Sequence, residues 1–253
     1  MCERARTRRR VGVPVWTPSR WLQVFAEQSA LFRAAVQRAD PGAPVPSCPG
    51  WTFAELTVHV ARFLAQVGRY LTTRSSIQLR PPAPTPVTDS LALLDEELAA
   101  ATDALATTPG NRPVWTFSPA APDLAWVWHR RAAHELNLRR WDAQAALREL
   151  TPTDRDQAAD AVDELLGTLL AARVAAGEPG RSGTAVVSAL DGPHRWFVRM
   201  TPGEVPSVRP AEPGEVADAQ LTGRADNLVY QLRNRMRLTG TGEVEVLRAL
   251  RMS

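Results

Sequence analysis

The chain has 253 residues, 44% of them hydrophobic, and its 30 basic and 27 acidic side chains give a formal net charge of +3. That length supports one large domain or two of ordinary size, each able to bury a core without cross-links. Two cysteines, Cys2 and Cys48, exclude a disulfide framework.

No run approaches the roughly 20 apolar residues that span a bilayer. The basic start, Met1 to Arg10, leads into an apolar stretch that is short and broken at Pro14, which does not make a signal peptide. The expectation is a soluble cytoplasmic protein. All 30 basic residues are Arg, a bias that a GC-rich genome produces, and beyond the leader they are scattered among acids. No basic stripe is interleaved with aromatics, so neither nucleic acid nor membrane is an expected partner. Residues 1–16 read as a disordered basic leader; oligomeric state is not legible.

Five segments carry helical periodicity. Trp21, Val24, Phe25, Leu31, Phe32 and Val36 recur at three and four after Pro18, with Asp40-Pro41-Gly42 as the stop. A second helix runs from about Thr52 to Leu71, a third from about Asp89 to Ala106, and a fourth from about Asp123 to Leu147. A fifth follows Thr153, read as its N-cap, and runs to Gly177. Between the second and third, the Pro81–Pro86 stretch reads as a stiff extended connection. After Gly180 the period changes: strands are expected at Thr184 to Leu190, Arg195 to Met200 and Ala219 to Gly223, with helices at Ala225 to Arg235 and Glu243 to Leu250. The organisation expected is a helical bundle over 17–150, a connecting helix over 151–180 and a small α+β domain over 181–253.

The fourth helix carries the informative pattern. At about 100° per residue, Trp128, Arg131, Ala132, Glu135, Arg139 and Asp142 share one arc of roughly 100°. Charges of both signs beside a Trp fit two arrangements. One is a solvated face stapled by i,i+4 pairs, and pattern alone favours it because surface ion pairs are common. The other lies inside the bundle, where ionisable groups must be paired or ligating.

Two motifs carry a resemblance. Val45-Pro46-Ser47-Cys48-Pro49-Gly50-Trp51-Thr52, followed by Leu56 and His59, resembles the opening of the mycothiol-dependent maleylpyruvate isomerase family. Arg131, Ala133-His134-Glu135, Arg140 and Asp142 resemble its second motif, and Leu221 to Leu228 through Arg235 resembles its small C-terminal domain. The resemblance implies an α+β multidomain fold: a DinB-like four-helix bundle followed by a small sterol-carrier-like α+β domain. It also implies mycothiol as thiol cofactor and zinc or another divalent metal held by three side chains.

Carried over, the first two metal ligands are His59 and Glu135; the third position is Arg139, where the family has His. A guanidinium has no lone pair to donate and stays charged. Neither His134 nor His129 sits at the right angle on the helix to replace it. The set is therefore incomplete, and the expectation is a site without metal, weak or distorted binding being the alternative. Arg139 then becomes a fixed positive charge in the metal's place, and His59 is either a general acid or base or a hydrogen-bonded core histidine. The catalytic candidates are His59, Glu135 and Arg139. Substrate or thiol contacts are assigned to Arg235, Trp128 and Arg131, with Arg233 an equally available neighbour and a Trp-rich core the simpler role for Trp128. The expected function is a small-molecule enzyme of the isomerase or S-transferase type, divergent and metal-free. The alternatives are an isomerase, lyase or cyclase that uses no thiol, and a non-catalytic binding or regulatory protein.

Overall fold

The computed structural model describes residues 16–73, 75–83, 86–178 and 181–252; of the expected leader, residues 1–15 lie outside them, and Trp16, its last residue, is instead buried in the core of the helical unit. The chain divides into a helical unit, residues 16–153, and a unit of residues 154–253 that contains the sheet. No described helix is long and apolar enough to cross a membrane.

The helical unit contains α1 (Pro18–Arg38), α2 (Phe53–Thr73), α3 (Ser90–Thr107) and α4 (Trp126–Leu147). Three of the four starts follow from local chemistry. Thr17 caps α1 through its hydroxyl, with Pro18 in the first turn where its missing N–H costs nothing. At α2, the Glu55 carboxylate accepts from the Thr52 N–H (2.6 Å) while the Thr52 hydroxyl accepts from the Glu55 N–H (3.4 Å), a reciprocal capping box. Asp89 accepts from the N–H groups of Leu91 and Ala92 at the head of α3. Helix α1 packs on α4 and α3, and α2 on α3 and α4, giving the expected four-helix bundle. Its core gathers Phe25, Phe32, Leu56, Leu64, Tyr70, Leu94, Leu105 and Leu136, each worth about 1.5–3 kcal/mol on burial.

Helix α4 breaks the amphipathic rule. Every residue from Val127 to Arg140 is buried, charged and apolar alike. The solvated-face arrangement is thus overturned: Arg131, Glu135, Arg139 and Asp142 are all at most 7% exposed. His129, also buried, has both ring nitrogens 2.9 Å from carbonyl oxygens, those of Ala125 and Leu105, which ties the start of α4 to the end of α3. Arg140 is the largest fully buried side chain. It donates to Gln28, Gln144, Asn137, Thr153 and the Thr151 carbonyl, fastening the exit of α4.

In the second unit, α5 (Arg155–Glu164) runs through one π-helical turn, Leu165–Leu169, into α6 (Leu170–Ala175). The helix expected as a connection thus groups from residue 154 onward with the sheet. Its N-cap is Asp154, which accepts from the N–H groups of Asp156 and Gln157. Thr153 instead accepts from Arg140 and donates to Asn137. The sheet has the order β3-β2-β1-β4-β5, from β1 (Gly183–Ala189), β2 (Arg195–Met200), β3 (Ser207–Pro210), β4 (Ala219–Gly223) and β5 (Thr241–Gly242). Strand β1 runs antiparallel to β2 and parallel to β4. Its central position explains the consecutive buried run Ala185-Val186-Val187. Helix α7 (Ala225–Leu232) packs on α5, and α8 (Val244–Ala249) packs on β4 and β1. Asp191, in the β1–β2 turn, accepts from the Ala225 N–H that opens α7. Gly242 is required where it stands: φ is 89°, and a Cβ there would lie 2.2 Å from the Asp218 carbonyl oxygen. Strands β3 and β5 were absent from the sequence-based expectation because they are short and polar at the sheet edges.

Candidate functional site

The buried arc of α4 meets the beginning of α2 and the turn before it. Glu135 is the centre. Its Oε1 accepts from Arg139 Nε at 2.7 Å and lies 3.4 Å from His59 Nε2, while its Oε2 accepts from Arg131. Both guanidinium groups come from α4 itself, one turn before and one turn after Glu135, because i,i+4 side chains leave the same face. Arg139 then turns its other edge to Asp142, with Nη1 3.1 Å from Oδ2.

Asp142 anchors the preceding turn. It accepts from the Ser47 hydroxyl at 2.7 Å and from the Cys48 thiol at 3.4 Å. Trp51 closes the cluster: the Arg139 guanidinium lies over its ring at 5.6 Å, and the His59 ring packs against it at 4.8 Å. The Arg131 guanidinium lies 6.0 Å over Phe63. Two arginines and two carboxylates thus balance inside the bundle, where single charges would be costly. Burial opposes the charge on Arg139, but the neighbouring Glu135 and Asp142 outweigh it and hold its pKa above the ordinary arginine value.

His59 is the member that remains accessible, its side chain 36% exposed against 7% for Glu135 and 9% for Arg139. If Nε2–H points at Glu135, the lone pair of the ring is left on Nδ1. Beside it lies a groove of about 770 Å³, bounded by α2, the start of α3 and residues from 79–83 and 86–89, and lined by both His59 and Phe63.

The structure therefore brings together His59, Glu135, Arg139 and Arg131 from the sequence-derived set. It places Trp128 elsewhere. That indole stacks on Tyr70 at 4.8 Å, meets Phe117 edge-on at 5.3 Å and donates to the Trp115 carbonyl at 2.9 Å. It belongs to an aromatic core seven residues before Glu135, about 10 Å along the helix axis. Arg235 lies in the sheet-containing unit just after α7, with Nη1 donating to the Arg233 carbonyl at 3.0 Å. Asp142 was placed on the charged arc by its spacing from Arg139, whereas Ser47 and Trp51 were named in the first motif without a role in the charge cluster, because no local pattern ties that turn to α4.

Among the described residues, no group of three or more His, Cys, Asp or Glu stands close enough to hold a metal ion. Sharing an ion would require the His59 nitrogen and a Glu135 oxygen each at about 2.0–2.2 Å from it. Both Glu135 oxygens already accept from guanidinium groups, and neither guanidinium can ligate.

Comparison with known proteins agrees with this architecture. Residues 22–144 match the family model of the mycothiol maleylpyruvate isomerase N-terminal domain. Two solved structures are similar over 90% of this chain and 95% of theirs. One is a crystal structure of the mycothiol-dependent maleylpyruvate isomerase, at a TM-score of 0.53 and 15% identity. The other is a histidine-to-alanine mutant of it, at 0.55 and 14%. At that identity the likeness shows the fold. No curated protein sequence matches the chain.

Proposed function

We propose, from the match of residues 22–144 to the mycothiol maleylpyruvate isomerase N-terminal domain, that the chain is a small-molecule enzyme of that family's isomerase or S-transferase type that works without a metal. The observation that carries this reading is the double engagement of Glu135, whose two oxygens accept from Arg139 and Arg131. A carboxylate held this way is a poor metal ligand and a poor base. It is well suited to orient His59 and to stabilise the imidazolium that forms when the ring takes a proton.

His59 Nδ1 is then the group that accepts a proton from a thiol or from a carbon beside a carbonyl, and returns it to the product. Arg139 acts through Glu135 as a positioning residue, since its fork is taken by Glu135 and Asp142. Mycothiol is the thiol that the family description supplies, and its use by this chain is part of the proposal, as is contact between Arg235 and an anionic group.

The test is turnover of maleylpyruvate with mycothiol, followed spectroscopically with and without a strong chelator. The expected rate is unchanged by chelation and falls at least 100-fold in His59→Ala, about the size of a lost general base. Activity that appears only on addition of zinc would contradict the proposal. Thiol-independent turnover would favour the alternative of an isomerase, lyase or cyclase that uses no thiol.

A further inference from the structure

Among the described residues His59 has one polar partner, Glu135 Oε1 at 3.4 Å. That is longer than the roughly 2.7–3.2 Å of an ordinary N–H···O bond. The His59 side chain is also the most open of the cluster, 36% exposed. An imidazole on a helix turns about two side-chain bonds between staggered positions, and one long contact does not select among them. The second constraint on the ring is Trp51.

The backbone of Trp51 is fixed on both sides. Its N–H donates to the Cys48 carbonyl and its own carbonyl accepts from the Val45 N–H, each at 2.9 Å. Gly50 makes the turn just before it, at φ 83°, and Thr52, next in sequence, is committed to the capping box with Glu55. Helical side chains lean toward the N-terminal end of their helix. His59 therefore leans back toward this turn, and the two rings meet at 4.8 Å with 51° between their planes. The Arg139 guanidinium lies over the same indole at 5.6 Å. Arg139 Nε and His59 Nε2 both approach Glu135 Oε1. The indole thus touches both groups that share that oxygen, which sets the imidazole relative to the carboxylate.

We propose that Trp51 is a positioning residue for His59: the indole holds the imidazole in the one rotamer that keeps Nε2 on Glu135 and so leaves Nδ1 for the reaction. A ring contact of this kind biases a choice between two rotamers by about fivefold. An aliphatic side chain at position 51 fills space without supplying that bias, whereas a smaller aromatic ring keeps most of it. The task given to Nδ1 rests on the proposed function. The holding of the ring stands independently of it.

The experiment compares Trp51→Leu with Trp51→Phe in two assays on the full chain. In protein isotope-labelled at its four histidines, three-bond couplings to Cγ report the χ1 angle of His59, whose signals are identified by their loss in His59→Ala. Wild type and Trp51→Phe are expected to show one rotamer, and Trp51→Leu the averaged couplings of several. In turnover of maleylpyruvate with mycothiol, Trp51→Leu should lower kcat about fivefold at an unchanged KM, and Trp51→Phe should restore most of the loss. Should Trp51→Leu fail to fold, Trp51→Met replaces it in both assays. A single His59 rotamer in the aliphatic variant overturns the proposal. So does a KM that rises while kcat holds, since the indole is then a substrate contact. If the wild type turns nothing over, the proposed function fails while the couplings still decide this inference.

Discussion

Replacing Arg139 by Met removes the charge and the fork while keeping most of the volume. In the structure this strips Asp142, whose side chain is fully buried, of its guanidinium contact at 3.1 Å and leaves the Ser47 and Cys48 donors. Glu135 loses its 2.7 Å bond but keeps Arg131. Deleting one partner of a buried pair costs about 3–5 kcal/mol, and the lost stacking on Trp51 adds about 1 kcal/mol. Against a total stability of about 5–15 kcal/mol, that is a large fraction. With a slope of about 2 kcal/mol per molar urea, the midpoint should fall by about 2–3 M. The same substitution in an Asp142→Asn background should cost about 2–3 kcal/mol less, because the stranded charge is already gone. Urea unfolding followed by tryptophan fluorescence measures all four corners of the cycle. A midpoint within 0.5 M of wild type and no coupling to Asp142 would refute the buried-network reading, since exposed pairs give about 0–1 kcal/mol.

Arg140→Lys should destabilise by about 3 kcal/mol in the same assay, because an ammonium cannot match the fork that reaches Gln28, Asn137, Gln144, Thr151 and Thr153. Glu97 makes a pH-dependent prediction. Burial, and then its neighbour Glu96, raise its pKa above 4.5, so the fold favours its protonated form and loses stability as pH rises through that raised value. Glu97→Gln should therefore raise the melting temperature at pH 7 and change little at pH 4.

Much of the fold was legible because its signals are local. The three-and-four spacing of Leu56, Val60, Phe63 and Val67 marks α2 without any partner. The edge strands were not legible: Ser207–Pro210 and Thr241–Gly242 bury little, so no alternation distinguishes them from loop. The candidate site was half legible. Spacing placed Arg131, Glu135, Arg139 and Asp142 on one face of α4. It could not say whether that face meets water, because a solvated ladder and a buried network have the same periodicity. What decides is the other side of the contact, supplied by Ser47, Cys48, Trp51 and His59 from another part of the chain. Trp128 shares the arc, but seven residues of helical rise carry it to Tyr70 and Trp115 instead.

The central claim is that a guanidinium network stands where the family resemblance would place a divalent ion. It is tested most directly by calorimetric titration of zinc into the wild-type protein and into Arg139→His. The account predicts no stoichiometric binding to the wild type and a new one-to-one site in the variant, where an imidazole joins His59 and Glu135. One zinc bound tightly by the wild-type chain, and lost when Glu135 is changed to Gln, would contradict it.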